Sequence, residues 1–167
     1  FRETLDGVAV DRIRVVATNT IRQAVNGQQF AKQASELLGL PVEVISGREE
    51  ARLIYTGVAQ ASDYAEQQLA LDIGGGSTEL IIGKRQQIIE AESLQMGCIS
   101  FTKRFFPTGQ ISKEAWQLAL DAAKRELSVI AQTYKSHAWQ RVVGSSGTIK
   151  SLCQIAQHGS QNDHSIS

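Results

Sequence analysis

The sequence predicts an α/β protein whose second part is built on an antiparallel hairpin. Three observations carry this prediction. Strand, helix and strand patterns follow one another over residues 12–45, and a strand, a run of glycines and another strand follow over residues 69–82. A strand, a glycine turn and a helix then occupy residues 139–157. Two glycine-rich turns at strand ends favour a phosphate or nucleotide cleft between two lobes.

Composition and charge exclude several classes of protein. The chain has 167 residues, 42% of them hydrophobic, and it balances 17 basic against 17 acidic side chains. A chain of this length can bury a core, and we expect no nucleic-acid partner because there is no basic excess. We expect no membrane span, since no long apolar run occurs, and a reducing cytoplasmic location, since Cys98 and Cys153 are far apart. The chain starts at Phe1 within polar text, so we expect a piece of a larger protein.

Three predicted elements form the first strand–helix–strand unit: Arg12–Ala17, Asn26–Leu38 and Val42–Ile45. Their apolar residues repeat with the period of a strand or of a helix. Gly39 is typical of a helix C-terminus. A unit of this kind predicts two parallel strands. Between the first strand and the long helix we expect a short helix that is capped by Asn19 or Thr20 and carries Arg22.

A helix predicted over residues 46–60 carries an unusual carboxylate. Ser46 and Glu49 have the spacing of a capping box, which gives Glu49 a structural role. Glu50 instead falls in the middle of an apolar stripe made of Leu53, Ile54, Gly57 and Val58. A carboxylate on such a stripe is costly unless it is neutral, paired or facing a cleft. Two interpretations stay open: Glu50 is a general base in a cleft, or it is a solvated acid that favours the helix dipole.

The hairpin over residues 69–82 holds the clearest chemistry. Glycines, hydroxyls and acids lie together at its tip: Asp72, Gly74, Gly75, Gly76, Ser77, Thr78 and Glu79. Backbone N–H groups in a concave turn bind phosphate oxygens, and neighbouring carboxylates hold a divalent metal. A turn whose glycines serve geometry alone is the alternative. The flanking acids and hydroxyls favour the site for phosphate and metal.

The remaining elements complete a sheet and its helices. A polar linker over residues 61–67 precedes the hairpin. After the hairpin we expect a strand over residues 86–93, a short helix over residues 99–106 and a long helix over residues 112–136. A strand over residues 139–143, a helix over residues 147–157 and a frayed tail over residues 159–167 complete the chain. The long helix carries a stripe predicted to be core: Trp116, Ala119, Ala123, Leu127, Ile130 and Tyr134. A glycine and serine turn over residues 144–148 opens the last helix, which is an anion-binding geometry, although such turns also carry glycine and serine for steric reasons.

Several motifs in order resemble one family of phosphatases. Residues 72–80, DIGGGSTEL, resemble the second phosphate loop of the actin, heat-shock chaperone and sugar kinase superfamily. More specific motifs are ATNTIRQA from Ala17, VISGREEARLIY from Val44, MGC from Met96 and GSSGT from Gly144. Together they resemble the exopolyphosphatase and guanosine pentaphosphatase (Ppx/GppA) family from about residue 10 to residue 157. The resemblance implies ribonuclease H-like, actin-like lobes, with residues 1–58 ending a first lobe and residues 59–167 forming a second.

The resemblance implies a role for each matching residue. Glu50 matches the glutamate that orients and deprotonates the attacking water, and Arg22 matches an arginine that contacts the phosphate chain. Asp72 and Glu79 match acids near the metal, which we expect to be Mg²⁺. Two further sets match loops that hold phosphate: Gly74, Gly75, Gly76 and Ser77 in one, and Gly144, Ser145, Ser146, Gly147 and Thr148 in the other.

The resemblance implies a bacterial hydrolase that releases terminal phosphate from polyphosphate. The close alternative is hydrolysis of guanosine pentaphosphate in the stringent response. Rivals of other classes are an ATP-dependent kinase and a phosphate or nucleotide sensor without catalysis. The family's first phosphate loop, of Asp-x-Gly-Ser-Asn-Ser type, is absent and would lie upstream of Phe1, and a helical C-terminal part is missing after Ser167. We therefore expect slow hydrolysis or none from this piece alone, and a homodimer at full length.

Overall fold

The chain forms two sheets that are connected by a helix starting at Gly47. This computed structural model describes residues 3–5 and 7–162, without the side chains of residues 158–162; the end of the predicted tail, residues 163–167, lies outside them. After two short 3-10 turns, Glu3–Leu5 and Val10–Arg12, the elements are β1 Val15–Ala17, α1 Asn19–Gln23, α2 Gly27–Leu38, β2 Val42–Val44, α3 Gly47–Gln60, β3 Gln67–Ile73, β4 Thr78–Lys84, β5 Gln87–Leu94, α4 Cys98–Phe105, α5 Lys113–Ser136, β6 Arg141–Ser145 and α6 Gly147–Asn162.

The first unit is the predicted parallel pair. Strand β1 pairs in parallel with β2, with Val15 opposite Val42. Gly39 ends α2 in the left-handed region at φ 71°, as expected for a helix C-cap. The predicted cap of α1 is wrong, because Thr18 occupies that position and its carbonyl accepts the N–H groups of Ile21 and Arg22. Asn19 is therefore the first residue inside the helix.

The second sheet has four strands in the order β5-β4-β3-β6. Strand β4 is antiparallel to both β3 and β5, and β3 is parallel to β6. The predicted hairpin-built, mixed sheet is thus confirmed. Among the described residues, none of the helices combines the length and the apolar character that crossing a bilayer requires.

Helix α5 covers one face of this sheet with only part of its predicted stripe. Ile130 and Tyr134 pack on residues of β4 and β5, and the Tyr134 hydroxyl donates to the Leu80 carbonyl at 2.7 Å. Trp116 is 57% exposed, so the prediction that it is core is wrong. A helix of 24 residues is about 36 Å long. Strands of seven or eight residues span only about 23–27 Å, so part of the helix extends beyond the sheet.

Helix α3 covers the other face, rotated from the predicted stripe. Its buried residues are Ala51 and Tyr55, which pack on the central strands β3 and β4. Ile54 and Val58 of the predicted stripe pack against the same core, whereas Gly57 is exposed. The ring of Tyr55 occupies the space in which a side chain at Gly83 would lie. The absence of a side chain at Gly83 therefore makes room for Tyr55 in this core. The boundary placed after residue 58 stays a prediction. It falls within α3, which shares a core with the second sheet.

Two glycine substitutions should have opposite effects on stability. Gly83→Ala places a methyl group where the fully buried ring of Tyr55 lies. This steric clash should lower the free energy of unfolding by about 1–3 kcal/mol or more. Gly57→Ala, on α3 with open space around the new methyl group, should raise it by up to about 1 kcal/mol. Urea denaturation of both variants measures the difference. A Gly83→Ala protein as stable as the parent would contradict the packing of Tyr55 described above.

Candidate active site

Four polar side chains form one row across the four-stranded sheet. Register places Ser93 opposite Glu79, Glu79 opposite Asp72, and Asp72 opposite Ser145. Residues directly opposite each other share a face, and Asp72 lies two residues after Ala70, which contacts α3. The row therefore lies on the α3 side of the sheet. The structure thus brings together the two acids predicted as metal ligands and one serine of the predicted third loop.

Both acids of this row are desolvated. Glu79 is 1% exposed, and the Ser93 hydroxyl donates to its Oε1 at 2.7 Å. Burial raises the pKa of Glu79, while hydrogen bonds from Ser93 and Ser77 lower it and the charges of Glu50 and Asp72 raise it further. Burial also raises the pKa of Asp72, against a hydrogen bond with Ser145. A bound cation would lower the electrostatic cost of two such carboxylates side by side.

The glycine loop is held by the N-terminus of α4. The N–H groups of Cys98, Ile99 and Ser100 donate to the carbonyls of Gly74 and Gly75 at 2.9 Å. A side chain at Gly97 would lie 2.5 Å from the backbone of Gly75, so this close approach requires glycine. With the loop carbonyls turned to α4, the N–H groups of Gly75 and Gly76 make no backbone hydrogen bond in the part of the chain described. Donation by these two N–H groups to an anion stays a prediction.

Ser77 lies in the loop but does not line an open surface. It is 2% exposed, and its hydroxyl bonds Glu79. The side chain of its neighbour Thr78 donates to the Met96 carbonyl. These two hydroxyls therefore support the hairpin and one of its acids, and a role for Ser77 in phosphate binding stays a prediction.

Glu50 and Arg22 form a largely buried pair above the row. Their side chains are 16% and 23% exposed, and Arg22 Nη2 lies 3.6 Å from Glu50 Oε2. Arg22 Nη1 donates to the Ile45 carbonyl at 2.6 Å, which fixes the guanidinium on the strand before α3. Glu50 is therefore not a solvated acid at a helix end.

The neighbouring Glu49 has a structural role, but only half of the predicted capping box forms, since its carboxylate is bound by Arg14 and Arg52. Its N–H donates to the Ser46 hydroxyl at 3.2 Å. Its carboxylate accepts from Arg52 and Arg14, which lowers the pKa of Glu49 to about 2, mainly through Arg52. The two adjacent glutamates thus have different surroundings. Glu49 is bound by arginines near the surface, whereas Glu50 lies beside the row.

The third loop contributes Ser145 to the row and then begins α6. Ser146 has φ 126°, a left-handed conformation that costs about 1–3 kcal/mol in a residue other than glycine. Its hydroxyl accepts the N–H of Ile149, and Gly147 and Thr148 form the first turn of the helix. Gly144 leaves room for the side chain of Ile149. Phosphate binding by all five positions of this loop, Ser145 included, stays a prediction.

Sequence reasoning missed two residues of the site. Ser93 is 14 residues from Glu79, and only strand register brings them together. Asn19 was assigned to a helix cap, whereas its side chain lies over Gly76, where an added Cβ would collide with it. A hydroxyl near the end of a strand that borders an acidic strand is the one signal that could have pointed to Ser93. The sequence carries no comparable signal for Asn19.

A separate cavity lies on the opposite face of the sheet. It has a volume of about 430 Å³, and apolar side chains such as Leu71, Met96 and Leu127 line it. Its lining residues include no acidic, basic or histidine side chain, in contrast to the row on the α3 face.

Comparison with known proteins identifies relatives along the whole chain. A family model described as the Ppx/GppA phosphatase family matches residues 1–167. The Aquifex aeolicus Ppx/GppA enzyme is 32% identical with a TM-score of 0.69, over 89% of this chain and 48% of that one. An exopolyphosphatase from Cytophaga hutchinsonii is 28% identical with a TM-score of 0.80, over 99% of this chain and 53% of that one. An exopolyphosphatase-like protein is 26% identical with a TM-score of 0.84, over 95% of this chain and 51% of that one. The chain spans about half the length of these relatives, and the predicted actin-like fold class is confirmed.

Proposed function

This chain belongs to the Ppx/GppA phosphatase family, and we propose that it carries most of a site that releases the terminal phosphate of inorganic polyphosphate. The observation that carries the proposal is the pair of Arg22 and Glu50. Arg22 Nη2 and Glu50 Oε2 are buried without a hydrogen-bond partner among the described residues. Buried charged atoms are normally satisfied, and exceptions are common where a ligand completes the site.

The reaction follows from the groups around this pair. Glu50 accepts a proton from a water whose oxygen forms a bond to the terminal phosphorus. The bond from that phosphorus to the bridging oxygen breaks, which releases orthophosphate and leaves a chain shorter by one unit. Arg22 and the free N–H groups of Gly75 and Gly76 offset the charge on the phosphoryl oxygens.

Asp72 and Glu79 are the residues that would hold Mg²⁺. They lie opposite each other, and burial raises the pKa of both, so a cation would relieve an existing cost. In the described ranges no group of three or more acidic, histidine or cysteine side chains could hold an ion. Two carboxylates fit Mg²⁺ nonetheless, because this ion is commonly bound by one or two carboxylates together with substrate phosphates. When bound, it would offset the charge of the phosphates.

A second substrate, guanosine pentaphosphate, is supported by a groove beside the row. The groove has a volume of about 510 Å³ and extends from Ser145 along Leu53, Gly57 and Val143. Its mainly apolar lining and its size would suit a nucleoside. One structural relative is an exopolyphosphatase and another is an exopolyphosphatase-like protein, which favours polyphosphate as the first candidate.

Phosphate release from the two substrates, measured side by side, tests the proposal. The full-length protein with Mg²⁺ should release phosphate mainly from long-chain polyphosphate. Release mainly from guanosine pentaphosphate would make the nucleotide the substrate of the same site. Release from neither, with binding retained, would support a sensor. The 167-residue chain should hydrolyse slowly or not at all, and its cytoplasmic location and a homodimeric full-length protein stay predictions.

A further inference from the structure

We propose that Asn19 is a catalytic residue whose side-chain amide holds the attacking water against Glu50. This inference rests on the proposed function above and adds a residue to it. Asn19 lies on α1, in the segment before α3, whereas the phosphate loop belongs to the hairpin of the second sheet. The side chain of Asn19 connects the two parts of the site.

The position of Asn19 follows from the turn before it. The Thr18 carbonyl accepts the first N–H groups of α1, so Asn19 starts the helix and its side chain is not used as a cap. Its Oδ1, Cγ and Cβ atoms lie where a side chain on Gly76 would be. The carboxamide is thus placed directly against the phosphate loop.

The amide nitrogen of Asn19 is buried and has no hydrogen-bond partner among the described residues. The described residues contain five buried side-chain polar atoms without a hydrogen-bond partner, and Asn19 Nδ2, Arg22 Nη2 and Glu50 Oε2 are three of them. Asn19 and Arg22 are three residues apart on one helix, so they lie on the same face. Arg22 Nη2 is 3.6 Å from Glu50 Oε2. Asn19 thus contacts the phosphate loop and shares a helix face with Arg22, whose guanidinium approaches Glu50.

The remaining two atoms, Tyr55 Oη and Gln68 Oε1, belong to another part of the core. The Tyr55 ring packs on Gly83, which is the strand partner of Gln68. They lie near each other, between α3 and the far end of the hairpin. Unpartnered polar atoms are therefore concentrated in two places, and only the group with Asn19 contains charged side chains and faces the loop.

Two donors and one acceptor suit a water beside a phosphate. A water that donates one hydrogen to Glu50 Oε2 and accepts from Asn19 Nδ2 keeps one lone pair for the phosphorus. Arg22 Nη2 is then free to donate to a phosphoryl oxygen. Glu50 alone would leave the water free to rotate about one hydrogen bond, whereas a second contact fixes its direction of attack.

Asn19→Leu tests this role, because leucine has a similar size and lacks the donor. In the full-length protein with Mg²⁺ and long-chain polyphosphate, kcat should fall about 10²- to 10³-fold, the loss caused by removing one preorganised donor at a reacting centre. KM should change by less than about threefold, because the lost contact is to the water and not to the phosphate chain. Asn26→Leu is the matched control, since Asn26 is exposed and its side chain makes no cap hydrogen bond. Its kcat should be unchanged.

A second variant and a reference enzyme separate the outcomes. Asn19→Asp keeps the shape of the side chain and an oxygen against Gly76 but has no N–H donor, so its kcat should fall as well. This variant serves as the test if Asn19→Leu does not fold. Full activity of either folded variant, beside an inactive Glu50→Gln enzyme, overturns the role of Asn19 alone. A higher KM with unchanged kcat also overturns it, since Asn19 would then bind phosphate. Activity of Glu50→Gln itself would overturn the proposed function instead.

Discussion

Replacing Glu50 by glutamine should lower kcat by about 10²- to 10⁴-fold, the range contributed by a positioned general base. Glutamine preserves the size of the side chain and its place beside Arg22, 3.6 Å away. It cannot accept the proton of the attacking water. KM should change little, because the contacts to the phosphate chain come from Arg22 and the loop N–H groups. Steady-state phosphate release from polyphosphate by the full-length protein measures both parameters.

Glu49→Gln is the matched control for this experiment. Glu49 precedes Glu50, but its carboxylate is bound to Arg14 and Arg52 on the surface. We expect its kcat to stay within about threefold of the parent, with at most about 1 kcal/mol lost from stability, as for other surface ion pairs. Equal losses of kcat in the two variants would mean that helix α3 is disturbed as a whole, and would remove the distinction between the two glutamates.

Replacing Glu79 by glutamine should stabilise the fold while it abolishes Mg²⁺-dependent turnover. Burial raises the pKa of Glu79, so its ionised form costs free energy in the folded state. Glutamine is neutral and of the same size, and its carbonyl can still accept from Ser93. We expect the free energy of unfolding to rise by about 0.5–2 kcal/mol at pH 7 without Mg²⁺, as is common when a functional site is relieved of strain. Chemical denaturation measures this gain.

The dependence of folding stability on pH shows where the substitution of Glu79 should be stabilising. The folded-state pKa of Glu79 lies above the unfolded value of about 4.3 for glutamate. Between these two values the folded protein binds more protons, so stability of the parent falls as pH rises through that window. Above the window the full cost is present, and below it both states are protonated. The advantage of Glu79→Gln should therefore be largest at neutral pH and disappear below about pH 4.

Glu92→Gln on the neighbouring strand controls for the loss of a negative charge. Glu92 is on the opposite face of the sheet, and Arg48 donates to it at 2.6 Å. Removal of this charge should change stability by no more than about 0.5 kcal/mol, because the pair is near the surface. A Glu79→Gln protein that is less stable than the parent at pH 7 would contradict the desolvation of Glu79.

Most elements of the fold could be predicted because their causes are local. Apolar periods distinguish strands from helices, and Gly39 and Ser112 mark helix ends that the structure shows. The parallel unit and the antiparallel hairpin follow from the length of the segments between strands. The motifs were sufficient for the family, which the family model over residues 1–167 confirms. The distinction between Glu49 and Glu50 also came from the sequence, through the capping spacing.

Contacts between distant elements were decided by the tertiary structure alone. The partner of Glu79 is Ser93 because strand register places them opposite each other, and register is a property of two strands. Tyr55 of α3 packs in the space left by Gly83, 28 positions later in the chain. Asn19 reaches the phosphate loop because Gly76 has no side chain. Periodicity shows which face of an element is apolar. How that face packs also depends on where the facing element has no side chain, as at a glycine.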